Sequence, residues 1–286
     1  MLDLSLWISG DTRSGKTTRL VEVFRQWTDR HASTNDSSTL STPKALVFAA
    51  NDDTRRELAT RLSTAIEGRY PIFSKTPLGF FSDQVTLFWP LLFKQLTVKP
   101  QFPLRLRPET EQALATRLWE SQLNSELFQR TGIGEYRLVR RILDLMQLAG
   151  ASGTPIEDIP TMLEQGLVGQ EWETLVGANA LLPLEMPQLW EEVGQLLQDW
   201  KRWCLQRGLL TYGIIYELYW RYLLPDNHYQ GYLRERYSAV FADDVDDYPA
   251  IARNLFDFLL DSGADGVFTY NPNGAVRLGL NADPEH

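Results

Sequence analysis

The sequence predicts an α/β fold in which a parallel sheet flanked by helices is interrupted by an all-helical insertion. Three observations predict it. Near both ends of the chain, short apolar runs lead into helical patterns, the strand–helix alternation that builds parallel sheets. Residues 96–205 instead hold periodic helices punctuated by Gly and Pro, with no convincing strand. The composition, 43% hydrophobic and 23% charged over 286 residues, supplies a full core and excludes disorder for most of the chain. The expected limits are 1–95 for the first part of the sheet domain, 96–205 for the insertion and 206–286 for the second part.

Each element has a local reason. Leu4 to Ser9 alternates and then runs apolar, as a strand does. After a Gly-containing turn, TTRLVEVFRQWTDR places Leu20, Val21, Phe24 and Trp27 on one helical face. His31 to Pro43 is polar and Ser/Thr-rich and reads as a surface loop. KALVFAAN is a second, buried strand, and DDTRRELATRLSTAIEG a helix whose first turn carries the acidic residues its dipole favours. In the insertion, PETEQALATRLWESQL, EYRLVRRILDLMQLAG and MPQLWEEVGQLLQDWKRWCLQRG are helical by period. Strands return at YSAVFADD and GVFTYN, separated by the helix AIARNLFDFLLDSG. No internal repeat is visible.

Between the first strand and the first helix stands Gly10-Asp11-Thr12-Arg13-Ser14-Gly15-Lys16-Thr17, which fits G-x-x-x-x-G-K-[ST] without a departure. Such a loop wraps phosphates with backbone N–H groups at a helix N-terminus. Gly10, Asp11, Thr12, Arg13, Ser14, Gly15, Lys16, Thr17 and Thr18 are therefore the expected ATP-binding residues. Lys16 would reach the β- and γ-phosphates, and the Thr17 hydroxyl would ligate Mg2+. The chemistry also needs a carboxylate at a neighbouring strand end and a base for the attacking water. YSAVFADDVDDY offers Asp243 as the Mg2+ carboxylate and Asp244 as the base, with Asp246 and Asp247 close behind. The competing readings are an ordinary Gly turn and a solvated acidic turn.

Charge and residue counts exclude other classes. With 28 Lys+Arg against 37 Asp+Glu and a net charge of -9, the chain is not a general polyanion-coating protein, although a local basic groove remains compatible. One cysteine, Cys204, excludes a disulfide framework and a cysteine zinc site, and three scattered histidines argue against a histidine metal centre. No run of apolar residues is long enough for a membrane span, and the first residues lack a signal-peptide pattern. A cytoplasmic protein without membrane association is expected.

In order and spacing, these segments resemble the first RecA-like domain of UvrD/Rep-type superfamily 1 DNA helicases, a family that includes the motor subunits of RecBCD- and AddAB-type nucleases. KALVFAANDDTRRELATRL is similar to the segment that follows the phosphate loop there, with Asn51 at its DNA-contacting turn and Arg61-Leu62 closing the pattern. TPLGFF resembles the next motif, T-x-H-S-F, with Thr76 and Phe80 in place and Leu78 where His is usual. TYGIIYELYWRYLL and RERYSAVFADD resemble the approach to the acidic motif, which here reads Asp243-Asp244-Val245-Asp246-Asp247 in place of D-E-x-Q-D. TYNPNGAVRLGLNADP has the layout of the segment after it, with Asn271 at the Asp position and Gly274 at the Gln position. The resemblance covers most of 1–95 and 206–286, with the insertion where the family carries its helical subdomain.

The resemblance implies a P-loop NTPase domain that couples ATP and Mg2+ to single-stranded or partly duplex DNA in repair or recombination, with Asn51, Thr76 and Phe80 on the DNA path. It also implies a partner nuclease or helicase subunit. The departures bear on turnover. Asp244 is a methylene shorter than the family's Glu, and Gly274 lacks the side chain that there senses the γ-phosphate. The short start before Gly10 is more like AddB-type subunits. An enzymatic reading, an ATP-dependent helicase domain completed by a second RecA-like domain not found within 286 residues, therefore stands beside a degenerate AddB-like scaffold with weak or no ATPase activity. A small-molecule kinase is the third reading, opposed by the insertion and by the lack of an arginine-rich lid. For Phe80, base stacking and core packing are both open. Phe81, Trp89, Tyr216, Tyr219, Trp220 and Tyr222 read as packing. Arg137 and Arg141 share one helical face that reads as solvated or as a phosphate contact.

Overall fold

The computed structural model describes residues 5–32, 44–129, 131–166 and 186–274. Most of the polar stretch read as a surface loop, residues 33–43, lies outside them, as do Leu4 and the end of the TYNPNGAVRLGLNADP segment after Gly274. In chain order the elements are β1 (Ser5–Ser9), α1 (Lys16–Ala32), β2 (Ala45–Ala49), α2 (Asp52–Ala65), β3 (Phe73–Lys75), α3 (Pro77–Leu87), α4 (Trp89–Gln95), β4 (Leu104–Arg105), α5 (Pro108–Leu123), α6 (Glu126–Gln129), α7 (Glu135–Ser152), α8 (Ile159–Gly166), α9 (Met186–Leu205), β5 (Leu209–Leu210), α10 (Tyr212–Glu217), α11 (Asn227–Arg236), β6 (Ala239–Asp243), α12 (Ile251–Asp261) and β7 (Asp265–Tyr270). Their contacts divide the chain into a unit of Met1–Gln84 with Leu223–His286 and a unit of Val85–Tyr222. The second unit thus takes in α10, which the sequence reading grouped with the sheet.

The first unit is built on a five-stranded sheet in the order β1-β7-β6-β2-β3, every pair parallel. Strand alternation sends successive side chains to opposite faces. Ala45, Val47, Ala49, Phe241 and Val267 meet Leu20, Phe24 and Trp27 of α1 and Leu58 and Leu62 of α2 in one buried cluster. The opposite face carries Phe48 and Phe268, whose rings meet Phe256 of α12 at 5.5 and 5.3 Å. Helices on both faces explain why ALVFA is buried at every position. β1 departs from this. It is an edge strand among the described residues, and Leu6 and Trp7 are exposed although Trp7 stacks on Phe268 at 4.7 Å.

Register fixes what stands at the carboxyl end of the sheet. Ser9 pairs with Tyr270 and Ala49 with Asp243. The Gly10 loop, the acidic turn and the turn after β7 consequently leave neighbouring strands on one edge, where ligands of open α/β sheets bind.

The second unit is helical, as its periodicity predicts. α7 turns Leu138, Val139, Ile142, Leu143 and Met146 inward, and leaves Arg137 and Arg141 exposed. α10 packs on α7, with Ile214, Ile215 and Tyr216 buried. Trp119 of α5 and Trp200 of α9 meet edge to face at 6.1 Å. One expectation is corrected. Leu104–Arg105 within the insertion forms a parallel ladder with Leu209–Leu210, too short at two residues for any period to reveal it. Glu217 is fully buried, with the Lys201 ammonium at 2.5 Å and the Arg221 guanidinium at 2.9 Å. The carboxylate is retained there because both cations offset its desolvation.

Candidate active site

The loop between β1 and α1 closes on itself through backbone bonds. Gly10 N–H donates to the Tyr270 carbonyl at 3.2 Å and Ser14 N–H to the Asp11 carbonyl at 3.2 Å. A β-carbon at Gly10 would lie 2.5 Å from the Ser14 hydroxyl, which would have to turn away to admit it. Arg13 and Gly15 turn left-handed, at φ 63° and 93°, and Gly15 makes that turn at no steric cost. Helix α1 then starts at Lys16, with N–H groups of its first turn facing the loop. A cleft of about 460 Å³ is lined by residues 12–18, Arg61, Asp244, Asp246, Asp247, Asn271 and Gly274.

Lys16 is nearly buried. Its ammonium donates to the Asp11 carbonyl at 3.2 Å and lies 3.6 Å from the Asp244 carboxylate. Thr17, the next residue, sends its hydroxyl to the Asp243 carboxylate, 2.9 Å from Oδ2 and 3.1 Å from Oδ1. These partners are 226 residues apart in sequence and meet because α1 starts beside the end of β6. Arg61 donates to the Thr18 hydroxyl at 2.8 Å, bringing a cation from α2 to the cleft.

The acidic turn is arranged residue by residue. Asp243 ends β6 and is buried; its backbone carbonyl accepts from the Tyr248 hydroxyl at 2.9 Å. Asp244 has φ 55° and ψ 59°, a left-handed conformation uncommon for a side-chain-bearing residue. Burial raises its pKa above the usual carboxylate range; the Asp243 and Asp246 charges push the same way, and Lys16 opposes them. Asp246 faces the turn after β7, where Asn271 N–H donates to its Oδ1 at 2.9 Å. Asn273 donates from its side-chain amide to the Asp11 carboxylate at 2.9 Å, tying that turn to the loop. At Gly274 a β-carbon would collide with the Asp246 carboxylate, so a side chain there would have to displace it.

Thr17 and Asp243 offer a hydroxyl and a carboxylate on one spot, the hard oxygen donors that suit Mg2+. No group of three or more His, Cys, Asp or Glu among the described residues is arranged to hold a metal by itself.

The nucleic-acid residues expected from sequence fare differently. Asn51 caps α2: its side-chain oxygen accepts from Asp53 and Thr54 N–H, and the Thr54 hydroxyl accepts from Asn51 N–H. Thr76 accepts from Gly79 N–H at 3.1 Å at the start of α3. Both are half-exposed. Phe80 is corrected. It is 1% exposed, with its ring 5.4 Å from Phe48 and 6.3 Å from Tyr237. The spacing that places Phe80 after Thr76 also turns it one helical step inward, where a base cannot stack on it.

Sequence reasoning missed Thr269, Tyr248 and Asn273. Thr269 is fully buried; its hydroxyl donates to Asp243 Oδ1 at 2.7 Å and accepts from Asp244 N–H at 2.8 Å. The available signal was a lone hydroxyl in the apolar run GVFTY, since a buried polar group needs partners. No known family model and no curated protein matches the sequence.

Proposed function

We propose that the sheet unit is a RecA-like P-loop NTPase domain of the superfamily 1 helicase type, which binds ATP with Mg2+ on the Gly10–Thr17 loop and links the nucleotide to single-stranded or partly duplex DNA. The observation that carries this reading is the meeting of the Thr17 hydroxyl with the Asp243 carboxylate at 2.9 Å, at the carboxyl end of a parallel sheet and beside the start of α1. Lys16 is poised to exchange the Asp11 carbonyl and Asp244 for phosphate oxygens, stronger partners for a nearly buried ammonium. Backbone N–H groups of the loop and of the first turn of α1 hold the phosphate chain. Thr17 and Asp243 would hold Mg2+, which would supply charge neutralisation to the phosphates. Asp244 accepts a proton from water only when ionised, and burial together with the Asp243 and Asp246 charges raises its pKa above the usual carboxylate range.

Two observations favour a second reading, a helicase-fold scaffold that binds nucleotide with little turnover. Asp244 is engaged by Lys16 at 3.6 Å, and Asp246 fills the place where the family's sensing side chain would stand at Gly274. Phosphate release, measured with and without single-stranded DNA, separates the readings. DNA-stimulated release supports the motor. Nucleotide binding without release supports the scaffold, and phosphate transfer to a metabolite would refute both.

A further inference from the structure

We propose that Thr269 is the positioning residue of this site: it orients the Asp243 carboxylate and holds the Asp244 backbone, and so sets how strongly Mg2+ supports nucleotide binding. The proposal rests on the nucleotide-binding reading above and deepens it.

A hydroxyl has one proton and can also accept. At Thr269 the accepting side is taken by Asp244 N–H at 2.8 Å, so the proton points to Asp243 Oδ1 at 2.7 Å. The side chain is fully buried, which leaves no bulk water to compete for either bond. The position follows from the ladder, because Phe268 of β7 pairs with Ala242 of β6 and the next residue on each strand is Thr269 and Asp243. With Oδ1 held, Oδ2 is left toward the Thr17 hydroxyl at 2.9 Å. The carboxylate torsion of an aspartate is otherwise broad, and neither Thr17 nor the backbone fixes it alone.

The same hydroxyl steadies the neighbour. Asp244 stands in a left-handed conformation at φ 55°, which persists only where its surroundings enforce it. The bond from Asp244 N–H to Thr269 is one such constraint, and this backbone turn aims the Asp244 carboxylate at Lys16, 3.6 Å away. Thr269 lines neither the cleft nor the loop, so it acts through Asp243 and Asp244.

Thr269→Val removes the hydroxyl at nearly constant shape, and Thr269→Ser keeps it. Binding of a non-hydrolysable ATP analogue by calorimetry, in Mg2+ and in EDTA, is the test. Loss of an outer hydrogen-bond partner weakens metal sites by roughly 10- to 100-fold. The valine variant is therefore expected to lose about tenfold or more of its affinity in Mg2+ while its affinity in EDTA changes by less than about twofold. The serine variant should bind as the parent protein does. Should the valine variant fail to fold, Thr269→Ala against Thr269→Ser makes the same comparison. Unchanged Mg2+ dependence in the variant lacking the hydroxyl, equal losses in Mg2+ and EDTA, or failure of serine to rescue would each overturn the proposal. If Lys16→Ala abolishes binding while Thr269→Val leaves it intact, only the role of Thr269 fails. If the parent protein binds no analogue, or binds it equally with Lys16→Ala, the nucleotide reading itself fails.

Discussion

Glu111 gives the helical unit a stability that depends on pH. It stands in the first turn of α5 and is only 7% exposed. Burial is the chief reason that its pKa rises from 4.5 to about 7; Arg140 and the Thr211 hydroxyl pull it down, and Asp144 pushes it up. Because the folded value exceeds the unfolded one, the folded protein binds the extra proton, and stability falls as pH rises between 4.5 and about 7. At roughly 1.4 kcal/mol per pH unit, the gap amounts to about 3 kcal/mol at most. Glu111→Gln keeps the shape and removes the proton. Denaturant unfolding followed by tryptophan fluorescence, which reports this unit through Trp119 and Trp200, should show the parent protein losing stability across that window. The glutamine variant should stay flat and exceed the parent by about 1–3 kcal/mol at about pH 8. Parallel curves for the two proteins from about pH 5 to about pH 8 would refute the reasoning.

Other perturbations test single contacts. Phe80→Ala should cost about 3 kcal/mol or more in thermal or denaturant unfolding, and should not weaken DNA binding by the fraction that remains folded. Asn51→Ala should cost about 1 kcal/mol through the lost cap of α2, read by the same unfolding measurement. Gly274→Gln should lower stability by displacing Asp246 from Asn271 N–H, and phosphate release should not rise.

Strands β2 and β6 were legible because they are buried on both faces and therefore read as nearly unbroken apolar runs: ALVFA and AVFAD are buried at every position; β3, three half-buried residues, is too short to show a period. The loop stood out because its spacing suits backbone wrapping, and the structure brings Thr17 to Asp243 at 2.9 Å. Phe80 shows where order and spacing stop being informative, since a motif position does not say which face of a helix is buried. Asn51 likewise has a local structural use, the cap of α2, that the motif alone does not reveal. Thr269 was missed for a different reason, although its lone hydroxyl in GVFTY is a local sign. Its partners come from register, which pairs β7 with β6 across some 25 residues of chain, and no local pattern says which residues that pairing brings together. The exposure of β1 is of the same kind, because SLWIS reads as an interior strand and only the strand order makes it an edge.

The central claim is that the Gly10–Thr17 loop holds the phosphates of ATP with Mg2+. Calorimetric titration of the parent protein and of Lys16→Ala with Mg2+ and ATP tests it most directly. The Lys16 ammonium is 8% exposed and 3.2 Å from the Asp11 carbonyl, so its truncation removes the cation best placed in the cleft to meet the phosphates. The parent protein should bind, and the variant should lose at least about tenfold in affinity, or about 1.4 kcal/mol. Equal binding by the two proteins, or no binding by the parent, would contradict the claim.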